Sequence, residues 1–269
     1  MPRVAHALEI RGLTLPPAVV RRAPDALAAL ARDPLTRLRI ALAAVLLAAL
    51  GSFAHLAEDY LTRDPLVRWD VSFAGWLHVH SSPTLVSVFE VVTYGGNAFT
   101  LALVTVLAGA VLLRRGALNE AALVAGAALG IELLNAVVKL LFHRPRPELA
   151  FVHLDTYSFP SGHAAGSTAL YATIAFLVAR RARPAAGWTA ALVALLVVVV
   201  VGFSRLYLGV HYLSDVLAGV ALGSAWAAAC ILFYDLRRDG DLSARLPRSV
   251  VSLLGRLGAR ASPPTPRSD

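Results

Sequence analysis

Residues 186–215 read AGWTAALVALLVVVVVGFSRLYLGVHYLSD. A membrane span needs about 20 mostly apolar residues to cross a hydrocarbon core about 30 Å thick. Residues 186–206 supply that length, and the end of the run turns polar at Ser204 and Arg205, followed by His211 and Asp215. An apolar span and a cluster of reactive side chains are therefore fused in one segment. Runs of the same kind recur at 38–57, 98–114, 119–142, 163–181 and 212–234. The whole chain is 57% hydrophobic and 16% charged, with a mean hydropathy of +0.65, well outside the composition of a soluble domain. The predicted fold is all-α, a six-span transmembrane helical bundle with short interfacial helices in the first outer loop.

A net charge of +8 raises nucleic acid as a partner. The arginines, however, stand in tails and short connections without interleaved aromatic residues, so no nucleic acid is expected and the bilayer itself is the partner. Arg21, Arg22, Arg32, Arg37 and Arg39 lie before or at the first span, Arg114 and Arg115 after the second, Arg180, Arg181 and Arg183 after the fourth, and Arg237 and Arg238 after the last. Under the positive-inside rule these four segments face the cytoplasm. The chain then divides into a cytoplasmic N-terminal segment at 1–37, a six-span domain at 38–235 and a basic cytoplasmic tail at 236–269. Both termini are inside, and the connections around 58–97, 143–162 and 207–211 face out. The first long apolar run starts only at residue 38, so no cleavable leader is read and the first span is expected to be an uncleaved anchor. Cys230 is the single cysteine, can form no intrachain disulfide, and is read as packing.

The first outer connection carries Trp69, Phe73, Trp76 and Leu77, with Asp70 expected to cap their short helix. Pro83 is expected to start a second apolar stretch that ends at Tyr94, and Gly95-Gly96-Asn97 to form a turn. Aromatic residues at this density suit a helix in the headgroup layer, either as a lipid entrance or as a surface anchor. In the tail, 245–260 reads as a basic amphipathic segment for the inner leaflet, and the Pro- and Ser-rich 262–269 as disordered.

Three polar clusters interrupt the apolar background: Lys139 with Arg146-Pro147, then Pro160-Ser161-Gly162-His163, then Ser204-Arg205 with His211 and Asp215. Hydrolysis of a phosphate ester needs an in-line nucleophile, positive charge on the equatorial oxygens and a proton for the leaving oxygen. His211 and Asp215 are four residues apart, so on a helix they share a face, and the carboxylate can fix the imidazole tautomer that leaves one nitrogen free to attack. Ser161-Gly162 before His163 places a permissive backbone at a helix start, which favours an anion. Arg146 and Arg205 offer planar forks, and Lys139, the single lysine of the chain, a point charge. Arg144, in a neighbouring Arg-Pro pair, is expected to face water or to assist a second phosphate. Glu132 and Asn135 share a helix side with Lys139 and are read as a buried polar network behind the site.

The spacings K-x6-R-P, P-S-G-H and S-R-x5-H-x3-D, in that order across roughly 70–235, resemble the type-2 phosphatidic acid phosphatase superfamily, which includes glucose-6-phosphatase and the vanadium haloperoxidases. The resemblance implies His211 as a nucleophile that forms a phosphohistidine, Asp215 as its orienter and His163 as general acid. It further implies Lys139, Arg146, Ser161, Gly162 and Arg205 as phosphate ligands, and an integral membrane phosphatase acting on a lipid phosphate or diphosphate. No metal site and no cofactor are expected. A phosphotransferase of the same superfamily and a non-catalytic lipid-binding or transport protein are the alternative readings.

Overall fold

Five of the described helices start at proline or behind a short polar cap, where a missing proline N–H or a side-chain acceptor settles an orphan donor. The computed structural model describes residues 9–10, 13–14, 33–152 and 154–238. Helix α1 (Pro34–Thr62) opens behind Asp33, whose carboxylate accepts from the Thr36 N–H at 2.8 Å. Helices α2 (Pro65–Val79) and α3 (Pro83–Val92) fill the first long connection, and Ser82 caps α3 by accepting from the Leu85 N–H. A 3-10 turn, Thr93–Gly96, follows, and Asn97 caps α4 (Ala98–Arg114) by accepting from the Thr100 N–H at 2.7 Å. Helices α5 (Leu118–Phe142), α6 (Gly162–Arg181), α7 (Pro184–Tyr207) and α8 (Leu213–Arg238) complete the chain order. Among the described residues the only strands are β1 (Glu9–Ile10) and β2 (Leu13–Thr14), a short antiparallel pair.

The all-α membrane bundle expected from the apolar runs is what the chain forms. Helices α1, α5, α6, α7 and α8 are each long and apolar enough to cross a membrane. The remaining expected span, 98–114, differs: α4 has 17 residues. The count reaches six when Pro83–Gly96 and α4, joined at a 41° bend, are taken as one span.

Among the described residues, those up to Ala41 and from Asp235 to Arg238 form one compact unit, in which Arg39 Nε meets Asp235 Oδ2 at 2.8 Å. Leu42–Tyr234 form the larger unit, to which everything below belongs. The expected amphipathic segment at 245–260, the disordered 262–269, and Arg21, Arg22 and Arg32 lie outside the described residues.

Close helix contact is bought with glycine. A Cβ on Gly219 would lie 2.5 Å from the Ser161 carbonyl oxygen, and one on Gly223 would lie 2.4 Å from that of Ala165. These two glycines, four residues apart on one face of α8, let it press against the backbone of α6, as small residues at this spacing do between membrane helices. A Cβ on Gly187 of α7 would lie 3.0 Å from Ala179 of α6. Because α6 begins and α8 begins at the same end of the bundle, this contact also brings their first turns together. At the other end Arg181 of α6 pairs with Glu120 of α5 at 2.7 Å.

One expected cap is not where the sequence put it. Asp64 precedes Pro65 at the start of α2, so that helix begins earlier and Asp70 falls inside it, fully buried. Its carboxylate accepts from the N–H of Ser214, one of the orphan donors in the first turn of α8, at 3.1 Å. Asp70 thus serves a helix start, but that of α8 and not its own.

Gly223→Val should lower stability by about 1–3 kcal/mol, because the added carbons meet backbone that cannot give way. Gly109→Val, whose Cβ meets nothing within 4 Å, should leave the melting temperature of the detergent-purified protein unchanged in the same measurement.

Candidate active site

The segments 143–161 and 208–215 are zipped together by backbone hydrogen bonds. The Phe151 N–H donates to the Leu208 carbonyl at 3.1 Å and the Ser161 N–H to the Asp215 carbonyl at 2.9 Å, while within the first segment the Ser158 N–H donates to the Arg144 carbonyl at 2.8 Å. Gly209 makes the approach possible: it has φ of +68°, and a Cβ there would sit 3.0 Å from the Leu149 carbonyl oxygen. Phe159, fully buried, anchors the Pro160-Ser161 turn among Phe53, Tyr60 and Phe142, with ring centroids 5.8, 5.9 and 4.9 Å away.

His211 lies between α7 and α8 with 3% of its surface exposed. Its Nδ1 faces Asp215 Oδ2 at 3.4 Å, and its Nε2 faces a guanidinium nitrogen of Arg146 at 3.3 Å. Helix α8 starts at Leu213, so His211 precedes it and Asp215 sits in its first turn. Asp215 Oδ2 also accepts from the Tyr212 N–H at 2.9 Å, the back-reaching half of a capping box.

The expected phosphate ligands converge on this pair. Arg146 donates to the carbonyls of Thr156 at 2.7 Å and Val210 at 2.6 Å, and to the Thr156 hydroxyl at 2.7 Å. Lys139 donates from Nζ to the Tyr157 carbonyl. Arg205 donates to the Thr93 hydroxyl at 2.7 Å, while its Nε is buried with no partner. Ser161 Oγ is likewise buried and unpartnered. Helix α6 opens at Gly162, and its first intrahelical bond is made by the Ala165 N–H, so the N–H groups of Gly162, His163 and Ala164 precede it and make an anion-favouring helix start. His163, half-buried in that turn, is within electrostatic reach of Arg205, His211, Arg146 and Lys139.

Arg144 neither faces water nor points to a second phosphate site. It is 2% exposed, and its guanidinium donates to Asp215 Oδ1 at 2.7 Å, to the Ser214 hydroxyl at 2.7 Å and to Asp70 Oδ2 at 3.0 Å. The rings of Tyr60 and Tyr212 lie 4.9 and 4.3 Å from its central carbon. Asn135 packs against Gly162 and Glu132 against Gly166, where a Cβ would come within 2.9 and 2.8 Å of their side chains. Asn135 Oδ1 has no partner, so the expected polar network is not closed there. Sequence reasoning missed Asp70, Thr93, Thr156, Tyr157 and Ser214, which hold the cations and carry no motif of their own.

Burial first, then the charges of Arg205, Arg146 and Lys139, hold the His211 imidazole well below its ordinary value. The ring is therefore neutral near pH 7, the state in which a ring nitrogen keeps a lone pair. The unfolded chain takes up a proton near about pH 6.5 that the native site resists, so this group weakens stability as pH falls below that value.

Fold and site together define a multi-pass helical membrane protein with a buried His–Asp pair and three cations gathered at one end of its bundle. The PAP2 superfamily model matches residues 120–239. Phosphatidylglycerophosphatase B of Bacillus subtilis (strain 168) is 39% identical over 94 residues, which cover 34% of this chain and 46% of that protein. The decaprenylphosphoryl-5-phosphoribose phosphatase of Mycobacterium tuberculosis (strain ATCC 25618 / H37Rv) is 38% identical over 132 residues, 47% of this chain and 67% of that one. The crystal structure of a transmembrane PAP2-type phosphatidylglycerolphosphate phosphatase from Bacillus subtilis superposes with a TM-score of 0.65 at 28% identity, covering 70% of this chain and 94% of that chain. The chain belongs to the PAP2 superfamily.

In the ligand-free protein, the ring resonances of His211 should not titrate with the midpoint near about 6.5 of an exposed imidazole. Nuclear magnetic resonance, with the signal assigned by its loss in His211→Gln, reads this directly.

Proposed function

We propose that the protein is an integral membrane phosphatase that hydrolyses a lipid phosphate or diphosphate through a phosphohistidine at His211, without a metal ion. The observation that carries this reading is the approach of Arg146 to His211 Nε2 at 3.3 Å while Nδ1 faces Asp215. One nitrogen is thereby turned toward a cation that suits an anionic substrate, and the other toward a carboxylate.

In the proposed reaction the phosphate oxygens sit on Lys139, Arg146, Arg205, the Ser161 hydroxyl and the N–H groups at the start of α6. The buried, unpartnered Arg205 Nε and Ser161 Oγ are suited to this role, since each needs a hydrogen-bond partner to offset its desolvation. His211 Nε2 forms a bond to phosphorus as the ester P–O bond breaks, and His163 gives its proton to the leaving oxygen. Water then attacks the phosphohistidine, His163 takes a proton from it, and phosphate leaves with His211 restored. Asp215 holds the Nδ1 proton and offsets the positive charge that develops on the ring.

The substrate class follows from the setting. A site at the end of apolar helices fits an amphiphile whose phosphate lies at the interface and whose tail stays in the bilayer. The names of the relatives point to phosphatidylglycerol phosphate and to polyprenyl-linked phosphates, and isoprenoid diphosphate and phosphatidate belong to the same chemical class. We place the site at the extracytoplasmic face with both termini in the cytoplasm. The arginines of the α4–α5 and α6–α7 connections support this orientation.

Purified protein with chelator present should release phosphate from at least one of undecaprenyl diphosphate, phosphatidate and phosphatidylglycerol phosphate, with no acceptor added. His211→Ala should abolish release. His163→Ala should lower kcat by about 10²–10⁴-fold, the usual contribution of a general acid. No release from any of these by folded protein would overturn the hydrolase reading in favour of transfer to an acceptor.

For orientation, Glu148→Cys and Ala117→Cys are introduced separately into a Cys230→Ser background. An impermeant thiol reagent added to sealed cells should label the first and not the second. The reverse pattern would put the site in the cytoplasm.

A further inference from the structure

We propose that Asp70 and Arg144 are positioning residues for the His211–Asp215 pair, so that the outer-loop helix α2 forms part of the reaction machinery. The proposal rests on His211 being the nucleophile. Asp70 lies 74 positions from Arg144 and 144 from Ser214 in sequence, yet all three meet in one buried cluster. Asp70 and Asp215 are fully buried and Arg144 is nearly so. Buried charges persist only when paired and hydrogen-bonded, and here each oxygen has an assigned donor.

Asp70 Oδ1 accepts from the Ser214 N–H, and Oδ2 accepts from Arg144 at 3.0 Å and from the Ser214 hydroxyl. The guanidinium, flanked by the rings of Tyr60 and Tyr212, spends its other nitrogen on Asp215 Oδ1 at 2.7 Å. Asp215 Oδ1 is thereby occupied, and Oδ2 is left for the Tyr212 N–H and His211 Nδ1. The carboxylate cannot rotate to present its other oxygen without breaking the guanidinium contact. The proton is held on Nδ1, and the Nε2 lone pair is aimed at phosphorus.

The second carboxylate has an electrostatic purpose as well. Asp215 and Arg144 alone would sum to zero beside an imidazole that becomes positive as the nitrogen–phosphorus bond forms. With Asp70 sharing the guanidinium, two carboxylates and one arginine leave a net charge of −1 behind the ring. That charge is what Asp215 needs to remain an effective partner for the developing imidazolium. A purely structural staple between α2 and α8 would alter stability but would not select the chemical step.

Asp70→Asn keeps the shape and removes the charge. The expected result is a loss of about 10–100-fold in kcat, the usual effect of groups that orient a reacting side chain from behind. KM should be unchanged, and phosphohistidine formation in a rapid-quench burst should slow by the same factor. In an Asp215→Asn background, Asp70→Asn should have a smaller effect than in the wild type, because the contact it braces is already gone and only its through-space charge remains. An unchanged kcat in folded Asp70→Asn, or effects that multiply in the double variant, would overturn the proposal. If Asp70→Asn does not fold, Ser214→Ala keeps all three charges and removes one link; its effect on kcat should vanish in Asp215→Asn, and multiplication there overturns the proposal. The ¹⁵N shifts of His211 read the same positioning without turnover. Asp70→Asn should move proton occupancy away from Nδ1, and unchanged shifts would count against the proposal. Wild-type protein that releases no phosphate would overturn the phosphatase reading, whereas the ¹⁵N comparison would still decide this one.

Discussion

Asp215 ties together three polar stretches of the site. Its carbonyl accepts from Ser161 at the head of α6, its Oδ2 from Tyr212 and toward His211, and its Oδ1 from Arg144. A lone ionised carboxylate in the apolar interior would be costly, and an ion pair there is stable only if the remaining lone pairs are filled. Its carboxylate meets that condition through Arg144 on one oxygen and Tyr212 and His211 on the other, while its main-chain carbonyl ties in Ser161. Removing one partner of such a pair costs about 3–5 kcal/mol, because the other charge is left buried alone. The arrangement therefore specifies one way for the polar segments to meet, whatever its net effect on stability.

The cations around this node fall into two kinds, and the partners they keep tell them apart. Lys139, Arg146 and Arg205 are oriented by carbonyl and hydroxyl oxygens of Tyr157, Thr156, Val210 and Thr93. Neutral acceptors fix a side chain without cancelling its charge, as the proposed phosphate binding by these three requires. Arg144 is instead held by two carboxylates, and its charge is spent inside the protein. The sequence His143-Arg144-Pro145-Arg146-Pro147 offers two similar Arg-Pro pairs. Spacing from Lys139 singles out Arg146, and the environments differ accordingly: two carboxylates hold Arg144, and neutral oxygens hold Arg146.

The legible parts of this chain were those with local causes. Apolar runs marked five of the spanning helices to within a few residues, since helix formation and burial in lipid both follow from composition over about 20 residues. The run at 98–114 was harder, because its continuation passes through the bend at Asn97 into Pro83–Gly96. Gly219 and Gly223 carry a readable small-residue spacing that the apolar count overlooked. Asp70 was not readable as a partner of α8. It stands among Trp69, Phe73 and Trp76 in what looks like an ordinary interfacial helix, and its burial is decided by Ser214, 144 residues away. The motif residues did come together, but the groups that hold them are common types at unremarkable positions.

The long connection between α1 and α4 consequently carries more than its composition suggests. The family model covers 120–239, which includes the three motifs but excludes Asp70, Thr93 and Ser82. Yet Asp70 braces Arg144, Thr93 holds Arg205, and the Ser82 N–H donates to the Tyr207 hydroxyl at 3.0 Å near the end of α7. The same stretch bears Trp69 and Trp76, about half exposed and joined through Phe73 in a row of stacked rings. One face of α2 thus supports the buried charges while another presents aromatic surface suited to a headgroup layer. A shift of α2 that changes how the aromatic face sits in lipid must also move Asp70, and through Arg144 the carboxylate behind His211. Surface contact and site geometry are set by the same rigid element, so neither can be altered without a cost to the other.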